Sequence, residues 1–175
     1  RMTDPFNDCL AAVLKEEGGY VNNPRDPGGM TNLGVTKRVW EKWCGHTASE
    51  AEMRSLSVAK VTPLYRAQYW NAVCGDQLPG ALALCVFDFA VNAGPRRAGQ
   101  TLQRLVSASQ DGQIGPATLR AVQQYVTGHS LADTVRQYQN ARRGFYRGLD
   151  GFVHFGKGWL NRCDRVETEA LRLVR

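Results

Sequence analysis

Gly80-Ala81-Leu82-Ala83-Leu84-Cys85-Val86-Phe87-Asp88-Phe89-Ala90-Val91, opened by Pro79 and closed by Gly94-Pro95, is apolar on nearly every face of a helix. A helix with no polar side is stable only when protein surrounds it, so this stretch is predicted to be the central helix of a bundle. It is well short of the ~18 apolar residues a membrane span needs, and no other run comes closer, so stable membrane insertion is not expected. Asp88 is the one charge in the stretch and shares a helix face with Asn92, four residues on. Charges on such a face are usually tied into buried networks, and the pair is also carried as a candidate border of a substrate cleft.

Outward from this helix the signals stay helical. On the amino-terminal side, Asp4 or Thr3 can cap a helix with Pro5 in its first turn and an apolar stripe of Phe6, Cys9, Leu10, Val13 and Leu14, ended by Gly18-Gly19. Residues 18–36, rich in Gly, Asn and Pro, read as turns and short strands, a β-hairpin region. Thr36 caps a helix through Val39, Trp40, Trp43 and Cys44 that stops at Gly45, Ser49-x-x-Glu52 is a capping box, and Thr62-Pro63 opens a helix through Tyr65, Tyr69 and Trp70. On the carboxyl side, helices are predicted after Pro95, from Pro116 to about Val126, from Ser130, and from about Trp159 towards Val174. The class is mostly α, a helical bundle around a buried helix with a short amino-terminal β region. At 175 residues one domain over 2–175 is expected, with a half at about 2–93 and a second helical half at about 94–175.

The formal charge of +6 and a pI near 9.3 favour an anionic partner. Nucleic acid is not expected, because no groove-reading motif or aromatic and basic platform is present. Arg96, Arg97, Arg142, Arg143 and Arg147 read as a solvated basic face. Cys9, Cys44, Cys74, Cys85 and Cys163 are odd in number and lack a C-x-x-C pair, so mostly buried, reduced thiols are expected. His46, His129 and His154 stand apart in the sequence, so no metal site and no cofactor are expected. The first residues lack a basic-then-apolar leader, and Arg1 ahead of Met2 reads as a cloning remnant. The expectation is a monomer made in the bacterial cytoplasm and released by another agent.

On a helical wheel the apolar stripe of the first helix is centred within roughly 10–20° of Glu17, whereas Glu16 lies about 90° away. A carboxyl on the core side and at the negative end of a helix is expected to stay protonated, as a glycosidase acid must. Asp26, in a Pro-flanked, Gly-rich turn beside Arg25, is expected to stay ionised. Two carboxyls in contrasting environments form an acid and base pair, and Thr31 could help hold a water. Tyr20, across two glycines from Glu17, is a candidate platform for a sugar ring or a lid over the helix end.

Glu17-Gly18-Gly19-Tyr20-Val21-Asn22-Asn23-Pro24, Asp26-Pro27-Gly28-Gly29 and Thr31-Asn32-Leu33-Gly34-Val35-Thr36 resemble the amino-terminal signature of glycoside hydrolase family 108, which contains phage endolysins and proteins once described as secretion activators. Tyr65-Arg66-Ala67-Gln68-Tyr69-Trp70, Phe87 through Gly94, and Gly158-Trp159-Leu160-Asn161-Arg162 resemble its later blocks. The resemblance implies a lysozyme-like fold and N-acetylmuramidase activity on bacterial peptidoglycan, with Glu17 catalytic and no cofactor. The order Glu17, Asp26, Thr31 is similar to the triad of phage-type lysozymes, in which the Asp-to-Thr interval is one residue longer. Gln100 to Leu105 with Asp111 to Leu119 is similar to peptidoglycan-binding repeats, in which Asp-Gly and Gly-Pro shape turns. A lytic transglycosylase and a non-catalytic wall-binding or secretion-assisting protein remain alternatives.

Overall fold

A computed structural model describes residues 4–25 and 29–174. The chain is mostly helical, with α1 (Pro5–Glu16), α2 (Lys37–Cys44), α3 (Glu50–Arg54), α4 (Val58–Tyr65), α5 (Gly80–Ala93), α6 (Pro95–Leu105), α7 (Pro116–His129), α8 (Leu131–Arg147) and α9 (Phe152–Arg172). Strands β1 (Val21–Asn22), β2 (Met30–Asn32) and β3 (Val35–Thr36) form a small antiparallel sheet in the order β1-β2-β3. Thr31 pairs with Val21 on one side and Thr36 on the other.

The apolar stretch read as the central helix is α5, and Ala81 through Ala90 are all buried. It packs against α1, α6, α8 and α9, so both halves of the chain share its surroundings. Phe87 meets Phe6 from α1 and Trp70 edge-on at 5.3 Å, and Phe89 faces Tyr138, Phe145 and Tyr146 of α8. The five cysteines are unpaired, and burial first, then Asp8 and Asp4, pushes the Cys9 thiol up to about 12, which leaves it unreactive.

The caps at Asp4, Thr36, Ser49 and Ser130 form as expected, each side-chain oxygen accepting a first-turn N–H. Three boundaries differ from the sequence expectation. Helix α1 stops at Glu16, and Glu17 is its cap in extended geometry (φ −89°, ψ 139°). Helix α4 starts at Val58 under Ser57, which leaves Pro63 inside it, and the chain continues through a π-helical turn at Arg66–Trp70. Helix α9 begins at Phe152, because the Phe152 ring lies where a side chain at Gly156 would be, 2.5 Å from its nearest carbon. Packing over that glycine outweighs its low helix propensity.

The basic face is corrected in part. Arg96, Arg97 and Arg147 are exposed, but Arg142 is fully buried, and Arg143 is mostly covered and paired with Asp164 and Glu167, each at 2.9 Å. The Asp111-Gly112 turn is held by Gln103, whose amide donates to Asp111 Oδ1 (2.8 Å), Gln113 O and Thr118 Oγ1 and whose Oε1 accepts the Gly112 N–H. These bonds give the turn a structural role.

Candidate active site

Glu17 stands where α1, the β2–β3 turn, α4 and α9 converge. Its backbone N–H still donates to Val13 O (3.2 Å), which anchors it to α1, while its extended ψ turns the chain away from the helix. The β2–β3 connection is a two-residue turn with Leu33 at φ 52° and Gly34 at φ 77°, both left-handed, as a type I′ hairpin requires. Leucine in that conformation costs about 1 kcal/mol, and the Tyr65 hydroxyl donates to the Leu33 carbonyl at 2.7 Å, holding the turn in place. Gly34 is needed twice over. A Cβ there would fall 2.5 Å from the Tyr65 hydroxyl and 2.8 Å from Glu17 Cγ, so only glycine lets the turn lie against the Glu17 side chain.

A guanidinium faces the carboxylate. Arg162 Nη1 of α9 lies 2.9 Å from Glu17 Oε1, and both side chains are mostly covered. Three residues on, Arg165 holds Glu16 at 2.7 Å, so the end of α1 is clamped to α9 by two ion pairs on one helix face. The environment of Glu17 is therefore not the purely apolar one the helical wheel implies, because a cation from 145 positions further along supplies a partner that no local pattern contains.

Arg162 is itself positioned from inside. Its Nε and Nη2 donate to Asp88 Oδ2 (3.1 Å) and Oδ1 (2.9 Å), a bidentate arrangement that fixes the plane of the guanidinium. Asp88 is fully buried, and its Oδ2 also lies 2.7 Å from Nη2 of the buried Arg142. Both terminal nitrogens of Arg142 lack a well-aimed acceptor, so its tie to Asp88 is chiefly Coulombic; its Nε donates to the Tyr146 hydroxyl, which in turn donates to Asn92. Burial works against the charge of Arg162, but Asp88, through its charge and hydrogen bonds, and then Glu17 outweigh it and raise the pKa above the ordinary arginine value. Two carboxylates and two guanidiniums thus form a balanced chain from the surface inward, Glu17–Arg162–Asp88–Arg142. Asp88 competes with Glu17 for the Arg162 charge.

Two tyrosines complete the surroundings. Burial first and the Glu17 charge second push the Tyr65 and Tyr69 hydroxyls above their ordinary values, so both are neutral donors beside the carboxylate. Their rings lie 5.6 Å apart. From Tyr69 a groove of about 370 Å³ runs over Gln68, Lys42, the partly exposed Trp43 and Pro95.

The sequence candidates separate on this frame. Thr31 sits half-buried on the middle strand, two residues before the turn that touches Glu17. Asp26 lies outside the described residues. Asp88 has no exposed surface and both oxygens engaged, so of its two readings the buried-network one fits, and it reaches the site through Arg162. Asn92 is exposed and accepts from Tyr146 at the far end of the network. Tyr20 carries the Arg54 guanidinium over its ring at 4.2 Å, so one face is already stacked. The sequence reading gives Arg162, Tyr65 and Tyr69 no part in the site and places Arg142 on a solvated face. A signal for Arg142 exists, since it falls on the inward stripe of Val135, Tyr138, Gln139 and Tyr146. His46 is not isolated in space, because the fold brings it beside Cys44 and Glu52.

Residues 10–94 match the family model described as glycosyl hydrolase 108. No curated protein matches the chain. Among solved structures, that of Brucella abortus SagA is 40% identical and superposes with a TM-score of 0.85, covering 97% of this chain and 95% of that one.

Proposed function

The chain belongs to the glycosyl hydrolase 108 family, and from that premise we propose that it is an N-acetylmuramidase, cleaving the β-1,4 bond between N-acetylmuramic acid and N-acetylglucosamine of bacterial peptidoglycan in the manner of an endolysin. The lysozyme-like, mostly helical fold suits that reading. The observation that carries it is the seat of Glu17: a mostly covered carboxyl flanked by two neutral tyrosines, one of which, Tyr69, also lines a groove, and set by an arginine whose charge is shared with a buried aspartate. Glu17 donates its proton to the leaving glycosidic oxygen as the bond to the anomeric carbon breaks. Asp26, aided by Thr31, activates the water that adds to that carbon, an assignment resting on sequence alone. The net positive charge favours approach to an anionic wall.

Purified protein incubated with peptidoglycan tests this directly. Muropeptides ending in reducing N-acetylmuramic acid are expected, and Asp26→Asn is expected to slow turnover by roughly 100-fold or more, the scale of a lost general base. A predominance of 1,6-anhydro ends, lighter by one water per cleaved bond, would make the enzyme a lytic transglycosylase with the same acid.

The groove beside Tyr69 is proposed to take the glycan, with Trp43 offering an exposed aromatic face and Lys42 and Gln68 polar contacts. Trp43→Ala is expected to raise KM for soluble glycan fragments roughly three- to tenfold, the value of one aromatic stacking contact, with kcat changed little. An unchanged KM would move the glycan to another face.

A further inference from the structure

Away from Glu17, the junction of α2 and α3 gathers three side chains of metal-ligand type. Cys44 ends α2, Gly45 (φ 81°) turns the chain in the left-handed conformation, and His46 comes back on the same side, with its Nε2 3.5 Å from Cys44 Sγ. Glu52 reaches in from the first turn of α3, and both its oxygens lie 3.0 Å from His46 Nε2. The ligand atoms of all three lie within 4.8 Å of one another.

Glu52 sits where a capping-box glutamate would reach back to the cap residue. Ser49 Oγ does accept the Glu52 N–H at 3.1 Å, but the carboxylate turns instead to His46 and to the indole N–H of Trp40, which donates at 2.5 Å. Trp40 is almost fully buried, so this donor is fixed and orients the carboxylate from behind. The loop between Gly45 and Ser49 is fixed as well, with the Ala48 N–H donating to Glu41 Oε2 at 2.7 Å.

We propose that Cys44, His46 and Glu52 form a binding site for a divalent transition-metal ion of the zinc class, with water in the fourth position. Bond lengths of ~2.3 Å to sulfur and ~2.0–2.2 Å to nitrogen and oxygen give tetrahedral edges of about 3.4–3.6 Å. The sulfur–nitrogen edge is in place, the nitrogen–oxygen edge needs a few tenths of an ångström, and the sulfur–oxygen edge, within 4.8 Å, closes by rotation of the Cys44 and Glu52 side chains. Thiolate, imidazole and carboxylate together suit zinc, cobalt or nickel and disfavour magnesium and calcium. His46 is half exposed, so the ion has an entry path. Binding would tie the end of α2 to the start of α3. Because the Asn32 amide donates to Met53 O at 2.9 Å, α3 is also bonded to β2, and the ion would stiffen the lobe that carries the turn at Glu17. The proposal is independent of the enzymatic reading.

Reduced, metal-free full-length protein titrated with Co²⁺ is expected to bind one equivalent at this site, with a thiolate-to-cobalt charge-transfer band and the intense visible bands of four-coordinate cobalt, all removed by one equivalent of Zn²⁺. Cys44→Ser should abolish the charge-transfer band, while Cys74→Ser, which alters the other half-buried thiol, should keep it. His46→Ala and Glu52→Gln should each weaken binding at least tenfold, since even the outer partners of ligands act on that scale. Zn²⁺ should raise the melting temperature of the parent and not of Cys44→Ser. No saturable band at tenfold excess of cobalt, or a band that survives Cys44→Ser, would overturn the site.

Discussion

Glu17→Gln is expected to lower lytic turnover by roughly 100- to 10,000-fold, the range of a lost general acid. Gln keeps the shape and can still accept a hydrogen bond from Arg162, but it has no proton to give to the leaving oxygen. Folding should be little affected, because Arg162 retains both hydrogen bonds to Asp88 and so keeps a counter-charge. The melting temperature is expected within a few degrees of the parent, in line with a change of about 1 kcal/mol. Glu16→Gln is the control, since its neighbouring carboxylate pairs with the exposed Arg165, and it should keep nearly full activity. If Glu17→Gln retained more than a few per cent of parental turnover, or if Glu16→Gln lost as much, Glu17 would not be the acid.

Asp88→Asn is expected to damage both stability and activity. The carboxylate is the counter-charge of two guanidiniums, one of them fully buried, and an amide of the same shape leaves Arg142 uncompensated and Arg162 paired with Glu17 alone. Breaking a buried ion pair by removing one partner costs about 3–5 kcal/mol, which in a chain of this size lowers the melting temperature by roughly 10 °C. Below that temperature the variant should still fold, and its pH profile carries the mechanistic content. With Asp88 neutral, Arg162 divides its charge among fewer carboxylates, and the alkaline limb of activity is expected to move to lower pH. A merely structural aspartate would lower stability without moving that limb. Adding Arg142→Met to Asp88→Asn should restore part of the lost stability, because it removes the buried charge left without a partner. No recovery in the double variant would argue against the charge-balance account.

The boundary between local and non-local information runs through particular residues. Caps at Asp4, Thr36, Ser49 and Ser130, the stops at Gly45 and Gly94, and the enclosed helix at 80–93 are properties of neighbouring residues, so composition and periodicity suffice to read them. The helical class and the prominence of Glu17 follow from the same local physics, reinforced by a motif run whose family the comparisons bear out. Helix α9 is a partial exception. Its glycines argue for a later start, and only the Phe152 ring folded over Gly156 shows why the helix begins where it does.

By itself, then, the sequence determined the helical class, most of the helix ends and the residue on which the chemistry is proposed to turn. Only the tertiary structure decided what surrounds that residue. Arg162 reaches Glu17 from the last helix, Asp88 and Arg142 neutralise each other in the core, Tyr65 pins the turn that Gly34 lets against the carboxyl, and Gly45 swings His46 back to Cys44. A charge in a helical stripe looks the same in sequence whether it ends in water or against a partner from another helix. Electrostatic pairing acts through space across long sequence separations, and burial, which gives each pair its strength, is a property of the packed chain as a whole.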